Sequence, residues 1–266
     1  MKPVKVDETT LRSLEFPGIL AALAGYAESA VGREIISGLL PCFDPMTIKE
    51  AFMGVVECVS IAGINNRLPI RGAQDIRPEL KRLAVEGVYL DADAFLRIRD
   101  NLSVCESLRA MLSDGFNRQF PRLSQKIGGI SNQRVLLSGL NRIFDEKGAI
   151  KDNASKRLYA IRKEMRALRA GARKILDDIC ADKRLKDCLQ DEIVTIREDR
   201  FCICVKAGKE ADLGGIIHGG SSTGATFFVE PIRLVEVNNR ITCLKKEEFS
   251  EEIEILKGAT LEVISE

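Results

Sequence analysis

Residues 191–240 gather most of the side chains able to do chemistry. His218, the chain's single histidine, precedes Ser221, Ser222 and Glu230 within thirteen residues. A base, two hydroxyls and a carboxylate have the composition of a nucleophilic triad. A triad also needs convergence in space and an oxyanion site, which spacing does not supply. A structural histidine, or one contacting backbone or phosphate, is the stronger reading. Arg197 and Arg200 flank a polar break at Glu198-Asp199, and Lys206 and Lys209 follow the next apolar run. Beside Ser and Thr donors they suit phosphate contacts that position rather than specify; ordinary surface charge is the competing reading. The candidate nucleic-acid-binding set is Arg197, Arg200, Lys206, Lys209, His218, Ser221 and Ser222. No catalytic or metal set is assigned. Phe227 and Phe228 alternate across a strand, so at most one can be an exposed stacking platform.

The glycine pairs Gly214-Gly215 and Gly219-Gly220 bracket an apolar run and precede a strand, not a helix, so tight turns explain them better than a phosphate cradle. The sequence contains no G-x-x-x-x-G-K-[ST]. The chain is therefore not expected to hydrolyse ATP, and no cofactor is expected within it.

Four strands are expected to position these residues. Val194 to Ile196 and Phe201 to Val205 read as a hairpin, Ile216 to His218 as a third strand, and Ala225 to Val229 as a fourth. Cys202 and Cys204 should share one face, in the core. Pro231 closes the unit and suits a helix start.

Helical patterns lie on both sides. Before the β-unit, Leu158, Ile161, Met165, Leu168, Ala172, Ile175 and Ile179 alternate spacings of three and four, a coiled-coil seam over residues 153 to about 188. A helix of that length would run about 54 Å. Its other face is basic, either solvated or laid beside a polyanion. After the β-unit, Leu234, Val237, Ile241 and Leu244, then Phe249, Ile253 and Leu256 after a phase shift, predict a second long helix with Glu247, Glu248, Glu251, Glu252 and Glu254 outward. The two should pair antiparallel with the β-unit at the far tip. The pattern is still helical at Ile264-Ser265-Glu266, which suggests a piece of a longer protein.

The first 150 residues read as an α-bundle. Thr9-Thr10 could cap a first turn, and Phe16, Ile19, Leu20, Leu23 and Ala27 follow helical spacing. Pro41 ends the helix of Val31 to Leu40. A helix over 46–63 should bury Ile48, Phe52, Val55, Val56 and Val59. Gly63 to Pro69 reads as a loop, and a short helix over 75–84 should turn Ile76, Leu80 and Leu83 inward. Asp91 or Asp93 caps a helix to about Leu112, and a further helical segment covers 131–144. The expected fold is mainly α: a helical core bundle (1–150), an outgoing lever helix (151–190), an antiparallel β clamp (191–230) and a returning lever helix (231–266).

At 266 residues, 45% hydrophobic and 30% charged, the chain can bury a core and is not a disordered type. A net charge of +1 gives no global basic field, so any nucleic-acid site must be local. Eight cysteines without a CxxC pair suggest a reduced, cytoplasmic setting. No apolar run approaches a membrane span, and no membrane partner is expected.

The motifs as a set resemble the clamp region of the bacterial type-two MutS proteins. Thr195, Ile196, Arg197, Arg200, Phe201, Val205 and Lys206 match its T-I-R-x-x-R-[YF]-x-[IV]-x-V-K. Gly215, Ile216, His218, Ser221, Gly224, Thr226, Phe228, Glu230 and Pro231 match G-I-V-H-x-x-S-x-[ST]-G-x-T-x-[FY]-x-E-P. Glu236, Asn238 and Asn239 match V-x-E-x-N-N. LEFPGILAALAGYAESAVGREIISGLLP and IRGAQDIRPELKRL resemble the family's opening segments. Gly219 departs from the pattern, an acidic residue being usual there. The cysteine-rich strand Cys202-Ile203-Cys204 departs too. The resemblance implies a homodimeric ATPase using ATP and Mg in full length, usually with a C-terminal endonuclease domain. It also implies binding of branched DNA with suppression of recombination, or binding of ribosomes (rRNA) in rescue of collided ribosomes. A coiled-coil interaction module without nucleic-acid binding is the remaining alternative.

Overall fold

A computed structural model describes residues 6–64 and 68–266, the side chains of 191–194 excepted. The fold is mainly α with one small antiparallel sheet. The expected loop at 63–69 falls partly outside the described residues. The chain divides into two compact units, residues 1–150 with 256–266, and residues 151–255.

The first unit holds α1 (Glu8–Ser13), α2 (Phe16–Ala24), α3 (Ala30–Ser37), α4 (Pro45–Gly63), α5 (Arg77–Leu83), α6 (Ala92–Arg109), α7 (Asp114–Gln119), α8 (Pro121–Gly128) and α9 (Arg134–Ile143). Asp7, not Thr9 or Thr10, caps α1, accepting from the Thr10 amide. Asp91 caps α6 through the Ala94 amide. Leu90, Ala94, Phe95, Leu140, Phe144 and Ala259 are each buried, and the Phe95 and Phe144 rings stack at 5.0 Å. Buried Thr260 accepts the Leu90 amide at 3.0 Å.

Two expectations about burial also fail in this unit. On α4, Ile48, Phe52, Val55, Val56 and Val59 are exposed, Phe52 by 67%; only Ile61 of that helix is buried. Helical periodicity identifies an apolar face but does not say whether this chain covers it. On α5, Leu80 is exposed while Glu79 is buried and ion-paired with Arg97 at 2.6 Å. The pairing lets a carboxylate take the inward position.

The second unit joins α10 (Lys156–Ala181), β1 (Leu189–Arg197), β2 (Arg200–Lys206), the single turn α11 (Glu210–Leu213), β3 (Gly215–Gly220), β4 (Thr226–Pro231) and the first part of α12 (Ile232–Ser265). Ser155 caps α10 and accepts the Leu158 amide. The helix stops at Ala181, short of the expected 188. Asp182 turns extended, and its carboxylate takes the amide and guanidinium of Arg184. Twenty-six residues give about 39 Å.

α10 and α12 run antiparallel, pinned by Ser155 to Glu251, Arg162 to Glu248 and Glu252, and Glu164 to Arg240. Between them Ile161, Met165, Ile241 and Leu244 form a buried cluster. Leu158 is fully buried, whereas Leu168 is half-buried. Toward the sheet the buried positions become Ala172, Leu176 and Ile179, and Ile175 moves to the margin. The sheet widens the apolar surface there, so the stripe is no longer a strict seam. Phe249 of α12, expected inward, is 66% exposed.

The sheet order is β1-β2-β4-β3, all antiparallel. Ile203, Val205 and Val229 pack on Ala172, Leu176, Ile179 and Leu234. The sheet thus sits at the end of the helix pair remote from Ser155. Cys202 and Cys204 alternate with Ile203 and Val205 and so share the sheet's other face, where Cys202 is fully buried, as expected, and Cys204 is partly buried. Cys188, Cys202 and Cys243 of this unit are thiols outside any disulfide. Burial, then the charge of Glu230, pushes the Cys202 thiol up to about 11.

Candidate nucleic-acid interface

The β1–β2 hairpin closes through a two-residue turn in which Glu198 and Asp199 both adopt positive φ, 47° and 65°. That mirror-image turn follows the twist of the strands, although neither residue is glycine. Lys245 of α12 holds Asp199 at 2.5 Å and keeps its carboxyl below the usual range. Gly215 is required for a different reason. A Cβ there would stand 2.1 Å from the Glu230 carbonyl oxygen, so β3 could not approach β4. At Gly219, φ of 111° coincides with the register shift between Ile217 and Gly220. The acidic residue expected from the family pattern would be strained in that conformation.

The sheet's chemistry centres on Glu230, whose side chain is fully buried. Its carboxylate accepts from Arg200 Nη1 at 2.7 and 3.1 Å and from Asn238 Nδ2 at 2.8 Å, and meets His218 Nε2 at 2.6 Å. Burial pushes this carboxyl up, but the bonds from Asn238, His218 and Arg200 outweigh it and hold the group below its ordinary value. Arg200 also donates to Asn239 Oδ1 at 2.7 Å. The β2–β4 pairing reaches Ile203↔Val229; further along β2, the Asn238 amide takes both backbone groups of Phe201, at 3.1 and 3.2 Å. One network therefore ties β2, β3, β4 and α12.

The candidate residues do not form one cluster. Arg200 and His218 lie in the Glu230 network. Arg197 is exposed and its guanidinium carbon stands 3.9 Å above the Phe228 ring, a cation–π contact. Phe227 packs inward against the apolar cluster, so Phe228 is the one aromatic on the open face. Lys206 lies at the other end of β2, six residues from Arg200, about 20 Å at strand rise. Its Nζ donates to the Asp187 carbonyl at 3.2 Å, and Lys209 sits 3.6 Å from Asp212. Ser221 belongs to that end too, because the β3–β4 turn adjoins Thr226, the partner of Lys206. Its Oγ lies 3.2 Å from Thr223 Oγ1 and accepts the Thr226 amide. Ser222 is exposed in the same turn. The Ser221 hydroxyl is thus turned to its own turn, while His218 meets Glu230.

Glu230, Asn238 and Asn239 were not assigned a place in the site by sequence reasoning. The available signal was their presence together in the E-P and N-N motifs. No apolar periodicity links them to Arg200. Among the described residues no cluster of His, Cys, Asp and Glu could hold a metal ion, and no helix is long and apolar enough to cross a membrane.

A helix pair thus ends in a small sheet that carries basic, hydroxyl and aromatic groups on its exposed parts. The chain is similar to proteins named Endonuclease MutS2. It is 31% identical to that of Halothermothrix orenii over 259 residues, 95% of this chain and 33% of the relative. It is 33% identical to that of Symbiobacterium thermophilum over 251 residues, 94% of this chain and 31% of the relative. It is 29% identical to that of Shouchella clausii over 263 residues, 97% of this chain and 33% of the relative. No family model matches the chain. The chain spans about a third of the length of the curated relatives it matches and resembles them over that third.

Proposed function

We propose that this chain is the lever and clamp portion of a MutS2-type protein and engages branched DNA through the phosphate backbone at the sheet. The observation that carries the reading is Arg197, exposed and stacked on Phe228. The ring restrains the guanidinium while leaving its N–H edges open to phosphate oxygens. Lys206, Lys209, Ser221 and Ser222 supply further donors at the opposite end of the sheet. Arg200 and His218 support this surface indirectly, since their polar atoms are spent on Glu230. In the whole protein, dimerisation and ATP, with Mg, acting in other segments, would close two such clamps. The chain itself contributes binding and no chemistry, while the endonuclease named in its relatives would lie outside the aligned third.

Ribosomal RNA is the second reading, favoured by the same exposed arginine and lysines, because phosphate contacts are alike in both nucleic acids. Side-by-side titration of the chain with four-way junction DNA, linear duplex and ribosomes tests the proposal. Preference for the junction at equal salt supports it, and binding to ribosomes alone moves the assignment to rRNA. Binding to none of the three leaves the protein-interaction alternative.

A further inference from the structure

The helix pair leaves one face of α10 without a partner, and from Lys156 to Lys174 that face is mainly basic, with Asp177 following one turn beyond Arg173. Lys156, Tyr159, Lys163, Arg166, Arg173 and Lys174 recur at spacings that keep them along one side of the helix, and all are exposed. The carboxylates of α12 do not neutralise this side. Glu248, Glu251 and Glu252 are engaged by Arg162 and Arg157 beside the seam. Asp152 takes Arg162 and Arg166 and is held below its ordinary value by them. Among the described residues, Lys163, Arg173 and Lys174 make no ion pair.

Two further features separate this face from an ordinary solvated one. Tyr159, 48% exposed, interrupts the basic row with an aromatic ring that nothing in the helix pair requires. Between the cations stand Ala160, Ala167, Ala170 and Gly171, all exposed, and a Cβ at Gly171 would meet only open space. Long basic side chains bordering a low, smooth strip allow an extended polyanion to lie against the helix backbone. From Lys156 to Lys174 the helix rises about 27 Å, the length of about eight phosphate steps along one strand at ~3.4 Å each.

We infer that this face of α10 is a second nucleic-acid surface, a track for the sugar–phosphate backbone of a duplex arm. Lys163, Arg173 and Lys174 contact phosphates, and Tyr159 packs on sugar. The inference rests on the nucleic-acid reading of the sheet but uses separate residues. In a junction, one arm would meet the sheet while another follows the helix.

The test compares the 266-residue chain with the K163Q/R173Q/K174Q variant, with Tyr159→Ala and with Arg197→Ala. Fluorescence anisotropy measures binding to a 30-base-pair DNA duplex and to the matching RNA duplex across salt. Helix content by circular dichroism must match in all four proteins. The triple variant should lower the salt slope by about 0.9 per lost contact, about 2.7 in all, and Tyr159→Ala should weaken binding without changing the slope. Loss on both duplexes assigns the track to the shared phosphate backbone, and loss on one names the source. An unchanged slope in the triple variant overturns the inference, as does a wild-type chain that binds neither duplex at 50 mM salt. If Arg197→Ala alone loses slope, the sheet reading stands and the helix track falls. If neither changes, both fall.

Discussion

Replacing Glu230 by glutamine keeps the side-chain volume and removes the charge on which four elements converge. The carboxylate accepts from Arg200 twice and from Asn238 once, and meets His218 at 2.6 Å. A glutamine places an NH2 group against one set of these donors. Removing one partner of a buried ion pair costs about 3–5 kcal/mol. Arg200 keeps some access to water, 24% of its side chain being exposed, so about 3 kcal/mol is expected. At about 1.4 kcal/mol per tenfold, this speeds exchange of the β2 and β4 amides on the order of 100-fold. Hydrogen exchange read by mass spectrometry is the assay, because the Phe201 amide donates directly to Asn238. The amides of α6 and α9, in the other unit, serve as the internal control. Acceleration below tenfold in β2 would refute the claim that this network joins the sheet to α12.

Gly215→Ala should separate β3 from β4, since the added Cβ meets the Glu230 carbonyl at 2.1 Å; faster exchange in both strands checks this. Leu176→Ala should cost about 2–5 kcal/mol in denaturant unfolding of the second unit, because the residue is fully buried. Ile175→Ala, at the margin, should cost clearly less, and equal costs would return the seam to the spacing read from sequence. The acid limb of stability should depend on Glu230. Its folded value is depressed, so its contribution is full above the ordinary value of 4.5 and is lost as pH falls through the lower folded value. Acid titration of wild type against Glu230→Gln measures this, the variant losing less stability across that window.

The sequence was most legible where one element carries its own signal. The Asp91 cap, the Pro231 stop, the alternation in β2 and the opposed faces of Phe227 and Phe228 all depend on neighbours within a few residues. The Glu230 network was not legible in that way. Arg200, His218, Glu230 and Asn238 span 39 residues, and only the pairings Ile203↔Val229 and Ile216↔Glu230 bring them together. Their motifs marked them without saying what each touches, so Arg200 and Arg197 looked equivalent. The ring under Arg197 and the carboxylate beside Arg200 separate them. On α4 the limit was different: a periodic apolar face is the same pattern whether or not this chain covers it, and Phe52 and Val59 are open.

The central claim, that the sheet engages phosphates through Arg197 held on Phe228, is tested most directly by Arg197→Ala. The chain and its variant are titrated with four-way junction DNA and with ribosomes across salt, after circular dichroism has shown that the sheet survives. The account predicts weaker binding of the nucleic acid the chain prefers, similar across unrelated sequences, with the salt slope lower by about one unit. A folded variant with unchanged affinity and unchanged slope for both ligands would contradict it.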